Sequence, residues 1–433
     1  MKKLIQFISA AACLLLLTNL SAQQVVKSEY GTFALTNATI ETITNGTVTG
    51  TVLVQDGKIT GVGDVQIPSN ANTIDCTGLT IFPGMIDGGT ALGTVEVSSV
   101  SLTNDSRELG DFTPHAQALT AVNPSSALIG VSRVDGVTTV LTQPSGGRFP
   151  GTAALINLHG YTPDQMYAGF KAVRLIFPSS GRRGRWDRRN AEDIKKEEEK
   201  ATKKLNELWE KCELHEKIAT AHAAGKGDAP EYNPDLDAML PVMRGEMHLL
   251  VEVNKSNDIK TALNWIKEKG VKAILTGVSE GYRVTDEILE SGIPVITGPI
   301  ITVPGRSSDK YDAAYANAGK MAKAGIKVAI RSNDSENVRN LPWHAGFAVA
   351  YGMDKKEALK AVTINPAEIF GVGDQLGSIE VGKMANLVVT DGDLFETKTN
   401  VKHLFISGWN VPIESRHTLL YNEFLNRAPG AQK

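Results

Sequence analysis

Residues 81–93 read Ile81-Phe82-Pro83-Gly84-Met85-Ile86-Asp87-Gly88-Gly89-Thr90-Ala91-Leu92-Gly93. Two short apolar runs meet at Pro83-Gly84 and stop at Asp87. An apolar run bounded by turn residues reads as a buried strand, here over 79–87. Beyond Asp87 the side chains become small, so the strand ends in a mouth shaped to hold something. No group within the mouth itself is suited to hold it.

The pattern around this strand repeats. Short β-branched runs recur at 136–141, 153–158, 172–177, 248–253, 272–276, 294–297 and 326–331, and helical spacing fits 195–221, 258–269, 284–291, 312–324 and 354–363. Strands alternating with helices predict a parallel sheet with helices packed on it. A doubly wound open sheet alternates likewise, but eight strands over 81–380 favour a (β/α)8 TIM-like barrel.

The flanks differ. Residues 32–74 alternate apolar and polar, and Asp56-Gly57 is a hairpin turn between two such runs. Residues 386–413 look alike, with a second turn signal at Asp391-Gly392. The α/β chain is therefore expected to carry a small β-sandwich domain built from both ends, 23–80 and 381–433. One segment, 181–222, breaks the barrel pattern. It opens with Arg182, Arg183, Arg185, Trp186, Arg188 and Arg189 and continues as a charged helix with apolar residues at Ala201, Leu205, Leu208, Trp209, Cys212, Ile218 and Ala219. That spacing makes one apolar stripe. The segment reads as an insertion packed on the barrel wall, or as an arm that docks a partner or an anion.

Residues 1–22 have a basic start, a short apolar core and a small residue at the end, the pattern of a secretory signal peptide. Cys13 lies inside that core, which argues against lipid attachment. The expected location is the periplasm, with no transmembrane segment in the mature chain. Cys76 and Cys212 permit a disulfide but make no framework. A formal net charge of −3 gives no reason to expect nucleic acid as a partner. His115, His159, His215, His222, His248, His344, His403 and His417 form no HxH or HxxxH pair, and there is no GxSxG elbow or P-loop. Two loops after strands could bind a ligand: 103–115 with Asp105, Glu108 and His115, and 144–148 with two glycines before Arg148.

The stretch 81–93 resembles the first barrel strand of the amidohydrolase superfamily, which reads roughly PG-apolar-ID-x-H-x-H-x-G. The hairpin at Lys58-Ile59, the second-strand run 136–140 and the closing segments 363–367, 377–380 and 382–389 resemble that family too, with Asn386 where it usually has Asp. The nearest likeness is to exported, imidazolonepropionase-like amidohydrolases. The resemblance implies a barrel with a β-sandwich, a small-molecule substrate, hydrolysis of C–N bonds other than peptide bonds, and a divalent metal cofactor. Carried over by position, the metal-binding histidines fall on Gly89, Ala91, Glu252 and Gly277, and only Asp334 survives. Asp334 is then the expected catalytic residue, with Asp334 and Glu252 as ligands if a metal binds. Two carboxylates make a poor zinc cage but can hold a harder ion, or act as an acid/base pair. For either residue a purely structural role at the barrel mouth is the alternative. Two functions stay open: a hydrolase with an altered site, or a catalytically inactive homologue acting as partner subunit or small-molecule binding protein. A homo- or hetero-oligomer with a related amidohydrolase is expected in either case.

Overall fold

The computed structural model describes residues 27–181, 187–304 and 309–427. The expected leader, together with Arg182, Arg183, Arg185 and Trp186, lies outside the described residues. Eight strands, numbered here for the barrel alone, follow one another in spatial order: β1 Met85–Thr90, β2 Val137–Thr142, β3 Gly151–Asn157, β4 Tyr167–Ile176, β5 His248–Val253, β6 Ala273–Gly277, β7 Val295–Thr297 and β8 Val328–Ile330. The (β/α)8 TIM-like fold is borne out. Closure between β8 and β1 is by close approach: the Asn333 N–H donates to Gly89 O, and a Cβ on Gly88 would lie 3.2 Å from Ile330 O.

One strand departs from the parallel expectation. β3 pairs antiparallel with both β2 and β4. A parallel crossover needs a dozen or more residues. The links 143–150 and 158–166 are shorter than that, so β2–β3–β4 folds as a meander.

The expected strand 79–87 divides at Gly84. Thr80–Pro83 pairs with Leu387–Thr390 in a separate nine-stranded sheet, whereas Met85–Thr90 enters the barrel. Gly84 is required at the crossing, because a Cβ there would lie 2.2 Å from Thr138 Oγ1. The nine-stranded sheet joins both ends of the chain around a core that includes Phe33, Ile59, Ile81, Leu387 and Phe405. Its hairpin turns at Asp56 (φ 50°) and Gly57 (φ 79°), as Asp-Gly turns do. After the last strand, Trp409–Val411, the chain forms a helix, Arg416–Asn426, which the sequence reading did not anticipate.

Asn386 joins the sheet to the barrel. Its amide donates to Asn157 Oδ1 at 2.9 Å and Thr139 Oγ1 at 3.1 Å, and its carbonyl accepts from Ser407 N at 2.7 Å. An ionised Asp has no donor for the first two bonds.

The charged segment is a 33-residue helix, Ala191–Ala223, capped by the Asn190 side chain. Its apolar stripe buries Leu205, Trp209 and Cys212, then continues through His215. Ile218 is exposed. Cys76 and Cys212 are buried free thiols, so the permitted disulfide is not formed. Burial pushes them up to about 11 and about 12, away from reactivity.

Candidate functional site

Side chains alternate across a strand, so inward positions recur every second residue. In the barrel, Ile86, Leu141, Ala172, Leu250, Ile274, Ile296 and Ala329 share one interior core. Two residues further toward the C-terminal strand ends stand Gly88, Gln143, Arg174, Glu252, Thr276, Gly298 and Arg331. The barrel is therefore apolar in its middle layer and polar at its mouth, where barrels of this kind carry function.

Glu252 is the centre of that layer. Arg331 grips it end-on, with Nη1 donating to Oε2 and Nη2 to Oε1, both at 2.7 Å. Arg174 Nη2 and the Thr276 hydroxyl also donate to Oε2, at 3.2 and 2.9 Å. The outer bonds are also made: Arg331 Nε donates to Gly298 O at 3.2 Å, and Arg174 Nη1 donates to Pro144 O. The side chains of Arg331, Arg174 and Glu252 are only 3%, 10% and 12% exposed. Burial opposes ionisation of Glu252, but Arg331 and Arg174 outweigh it and hold the carboxyl well below its usual range. Burial lowers Arg174 in turn, and Glu252 offsets part of that.

Asp87, next to Gly88 on β1, is fully buried. Its carboxylate accepts from the Gly89 N–H at 2.9 Å and the Ser332 N–H at 3.1 Å. Burial pushes it up to about 6, against these bonds and the nearby Arg331 charge.

The Asp334 carboxylate is engaged by the turn that follows it. Its Oδ1 accepts from the backbone N–H groups of Glu336 and Asn337 at 2.8 and 3.1 Å, and its Oδ2 from Asn337 Nδ2 at 3.1 Å. Burial is its largest influence and raises its pKa, yet these bonds together hold it below the ordinary value. Its backbone carbonyl accepts from Thr90 Oγ1, which fixes it to the end of β1. His344 lies close enough for its charge and that of Asp334 to act on each other. Its Nδ1 accepts from the N–H groups of Ile300 and Ile301, both at 3.1 Å, and burial pushes the ring down to about 4.

The remaining positions singled out in the sequence are occupied by neighbours. A Cβ on Gly89 would lie 2.9 Å from Gln143 Nε2 and 3.3 Å from Arg331 Cδ. A Cβ on Gly277 (φ +83°) would lie 2.5 Å from Asn254 Oδ1 and 2.7 Å from Glu252 Oε1. Ala91 is half-buried and carries no donor atom in its side chain. Among the described residues no group of three or more His, Cys, Asp or Glu could hold a metal ion. A divalent ion at Glu252 would displace two guanidinium groups or be repelled by them. The donor set does not fit such an ion.

Above this layer opens a cavity of about 840 Å³, lined by Glu252, Asn254, Tyr282, Asn317, Arg331 and Asn333 among others. Its size suits a small molecule. The loop residues Asp105, Glu108 and His115 do converge, but around a separate cavity of about 320 Å³, and His115 is paired with Asp235. Arg148 is spent on the Ile176 carbonyl. Nothing local in the sequence singles out Arg174 and Arg331. The signal was the step of two from each inward apolar residue.

The amidohydrolase family model matches residues 135–411. Amidohydrolase tasK of Hapsidospora irregularis is 24% identical over 381 residues, 79% of this chain and 38% of its own length. A 5-methylthioadenosine/S-adenosylhomocysteine deaminase of Thermoanaerobacter pseudethanolicus is 26% identical over 220 residues, 46% of this chain and 51% of its own. This chain thus spans about half or less of those relatives. An imidazolonepropionase of Syntrophobacter fumaroxidans is 37% identical over 82 residues, 18% of this chain and 19% of its own, in keeping with the expected likeness. The crystal structure of an amidohydrolase from Thermotoga maritima MSB8 matches with a TM-score of 0.76 at 26% identity, covering 88% of this chain and 99% of that one. The family model covers more than half of the sequence, and the chain belongs to the amidohydrolase family. Among the described residues no helix is long and apolar enough to cross a membrane.

Proposed function

We propose that this member of the amidohydrolase family binds a small molecule at the barrel mouth and does not turn it over by metal-assisted hydrolysis. The observation that carries this reading is the double guanidinium grip on Glu252. Hydrolysis in the family's manner needs an ion that activates water and polarises a carbonyl, and here the centre of the layer is an ion pair. Asp334, the one expected ligand that remains, has its carboxylate engaged by the turn that follows it. Its role in this reading is to fix the 334–337 turn at the rim. The leader-like segment 1–22 supports a periplasmic setting, and N-terminal sequencing of the secreted protein would test that.

Membership of the family supports a second reading, in which the chain hydrolyses C–N bonds other than peptide bonds with an altered site. The two readings separate in one assay. Purified protein is incubated with cyclic amides, dipeptides and ureido compounds, with zinc or manganese added and then removed by chelator. The binding reading expects no turnover above the Arg331→Met control. Turnover that chelator abolishes and metal restores would establish the second reading instead.

A further inference from the structure

We infer that the ligand of the 840 Å³ cavity is an uncharged, polyhydroxylated molecule, a neutral sugar or cyclitol. This rests on the binding reading above and names the chemistry of the bound molecule.

Charge supplies the first ground. The cavity wall carries Glu252, Lys255, Glu280, Asp309 and Arg331. Each of them already has a partner in the protein. Arg331 and Glu252 hold each other. Lys255 Nζ donates to Ser180 O, and Glu280 Oε2 accepts from the N–H and hydroxyl of Ser256 at 3.0 and 3.1 Å. Asp309 pairs with Arg283 at 3.5 Å. A charged ligand would leave water for a wall with no unmatched counter-charge among the described residues, which is costly. A neutral ligand meets no such cost.

Hydrogen-bonding capacity supplies the second. The segments that follow four consecutive strands, β5 to β8, each bring one uncharged polar side chain to the cavity: Asn254, Ser279, Thr302 and Asn333. Asn254 Nδ2 donates to Glu252 Oε1 and the Ser279 hydroxyl to Asn254 O, both at a long 3.4 Å. The side chains of Thr302 and Asn333 make no hydrogen bond among the described residues. Carboxamides and hydroxyls both donate and accept, so they match groups that do the same. Because they come from four elements around the cavity, the ligand must present such groups on several sides. Hydroxyls around a saturated ring do so, whereas a simple amide does so along one edge. A planar aromatic ligand fits less well. Tyr282 is the aromatic residue of the wall, and its ring is already met by Lys320 Nζ at 4.7 Å and the Arg283 guanidinium at 5.0 Å.

The test uses the full chain and matched probes. Glucose, N-acetylglucosamine and myo-inositol are titrated by calorimetry against glucuronate, glucosamine and glutaramide. At least one of the three neutral polyols should bind, with an affinity that salt leaves unchanged, and the charged sugars and the amide should not. Asn254→Ala/Asn333→Gly removes two carboxamides from exposed positions and keeps a residue suited to the positive φ at 333. It should weaken polyol binding by roughly tenfold, its fold checked by circular dichroism. A folded double variant that keeps wild-type affinity overturns the inference, as does tighter binding of either charged sugar. Glutaramide binding where the polyols do not overturns it while leaving the binding reading intact. No probe binding also overturns it, and the turnover assay then judges the binding reading separately.

Discussion

Arg331 follows a strand of only three residues, and the account turns on its side chain. It lies 79 positions from Glu252 in sequence, and Arg174 lies 78 positions from Glu252 on the other side. Nothing local marks such residues as partners. The barrel brings them together because each stands two places beyond an inward apolar residue. Breaking a buried pair from one side leaves the other charge stranded, at a cost of about 3–5 kcal/mol. Glu252→Gln strands both guanidinium groups and should therefore lower unfolding stability by about 3–5 kcal/mol, and Arg331→Met by less, since Glu252 keeps Arg174 as its partner. Urea melts of the two variants check this; Arg331→Met costing more than Glu252→Gln would contradict it.

Asp87 gives a pH prediction. Its folded value, about 6, lies above the ordinary carboxylate value. The folded state therefore holds that proton more tightly than the unfolded state. Its contribution to stability is lost as pH rises toward and through about 6, and returns as pH falls. Asp87→Asn cannot ionise. Relative to wild type, the variant should gain stability between about pH 4 and pH 7, by at most roughly 3 kcal/mol. Melts across that range that run parallel would refute it.

At the scale of elements, the stretch 81–93 was legible because strand and turn chemistry are local. Its division at Gly84 was not, since the cause is Thr138, brought there by pairing of β1 with β2. The antiparallel β3 could have been read from its two short links. Strand count alone does not separate a meander from a parallel crossover; loop length does. Asn386 shows the reverse case, where a single departure from the family pattern has a local meaning. Its amide donates to Thr139 and Asn157 in a buried place. Asn386→Asp puts a carboxylate against Asn157 Oδ1 and should cost about 2–3 kcal/mol. A Tm equal to wild type would show that the junction carries little. The long helix tests packing in the same way. Trp209 is buried against Trp265, with ring centroids 4.9 Å apart. Trp209→Ala should destabilise by about 3–5 kcal/mol, measured by chemical denaturation; a negligible change would mean the helix is not integral to the barrel wall.

For the whole molecule, fold and function separate. The frame matches a 26%-identical amidohydrolase over 99% of that chain, so the architecture is shared. A shared fold does not carry a shared chemistry. The chemistry sits in one layer, and in that layer a fixed guanidinium grips the carboxylate that an exchangeable ion would need. The most direct test is elemental mass spectrometry on protein purified without chelator. The account predicts only traces of zinc, manganese or iron, and a melting curve unchanged by chelator. A full equivalent of metal, lost in Glu252→Gln or Asp334→Ala, would contradict it.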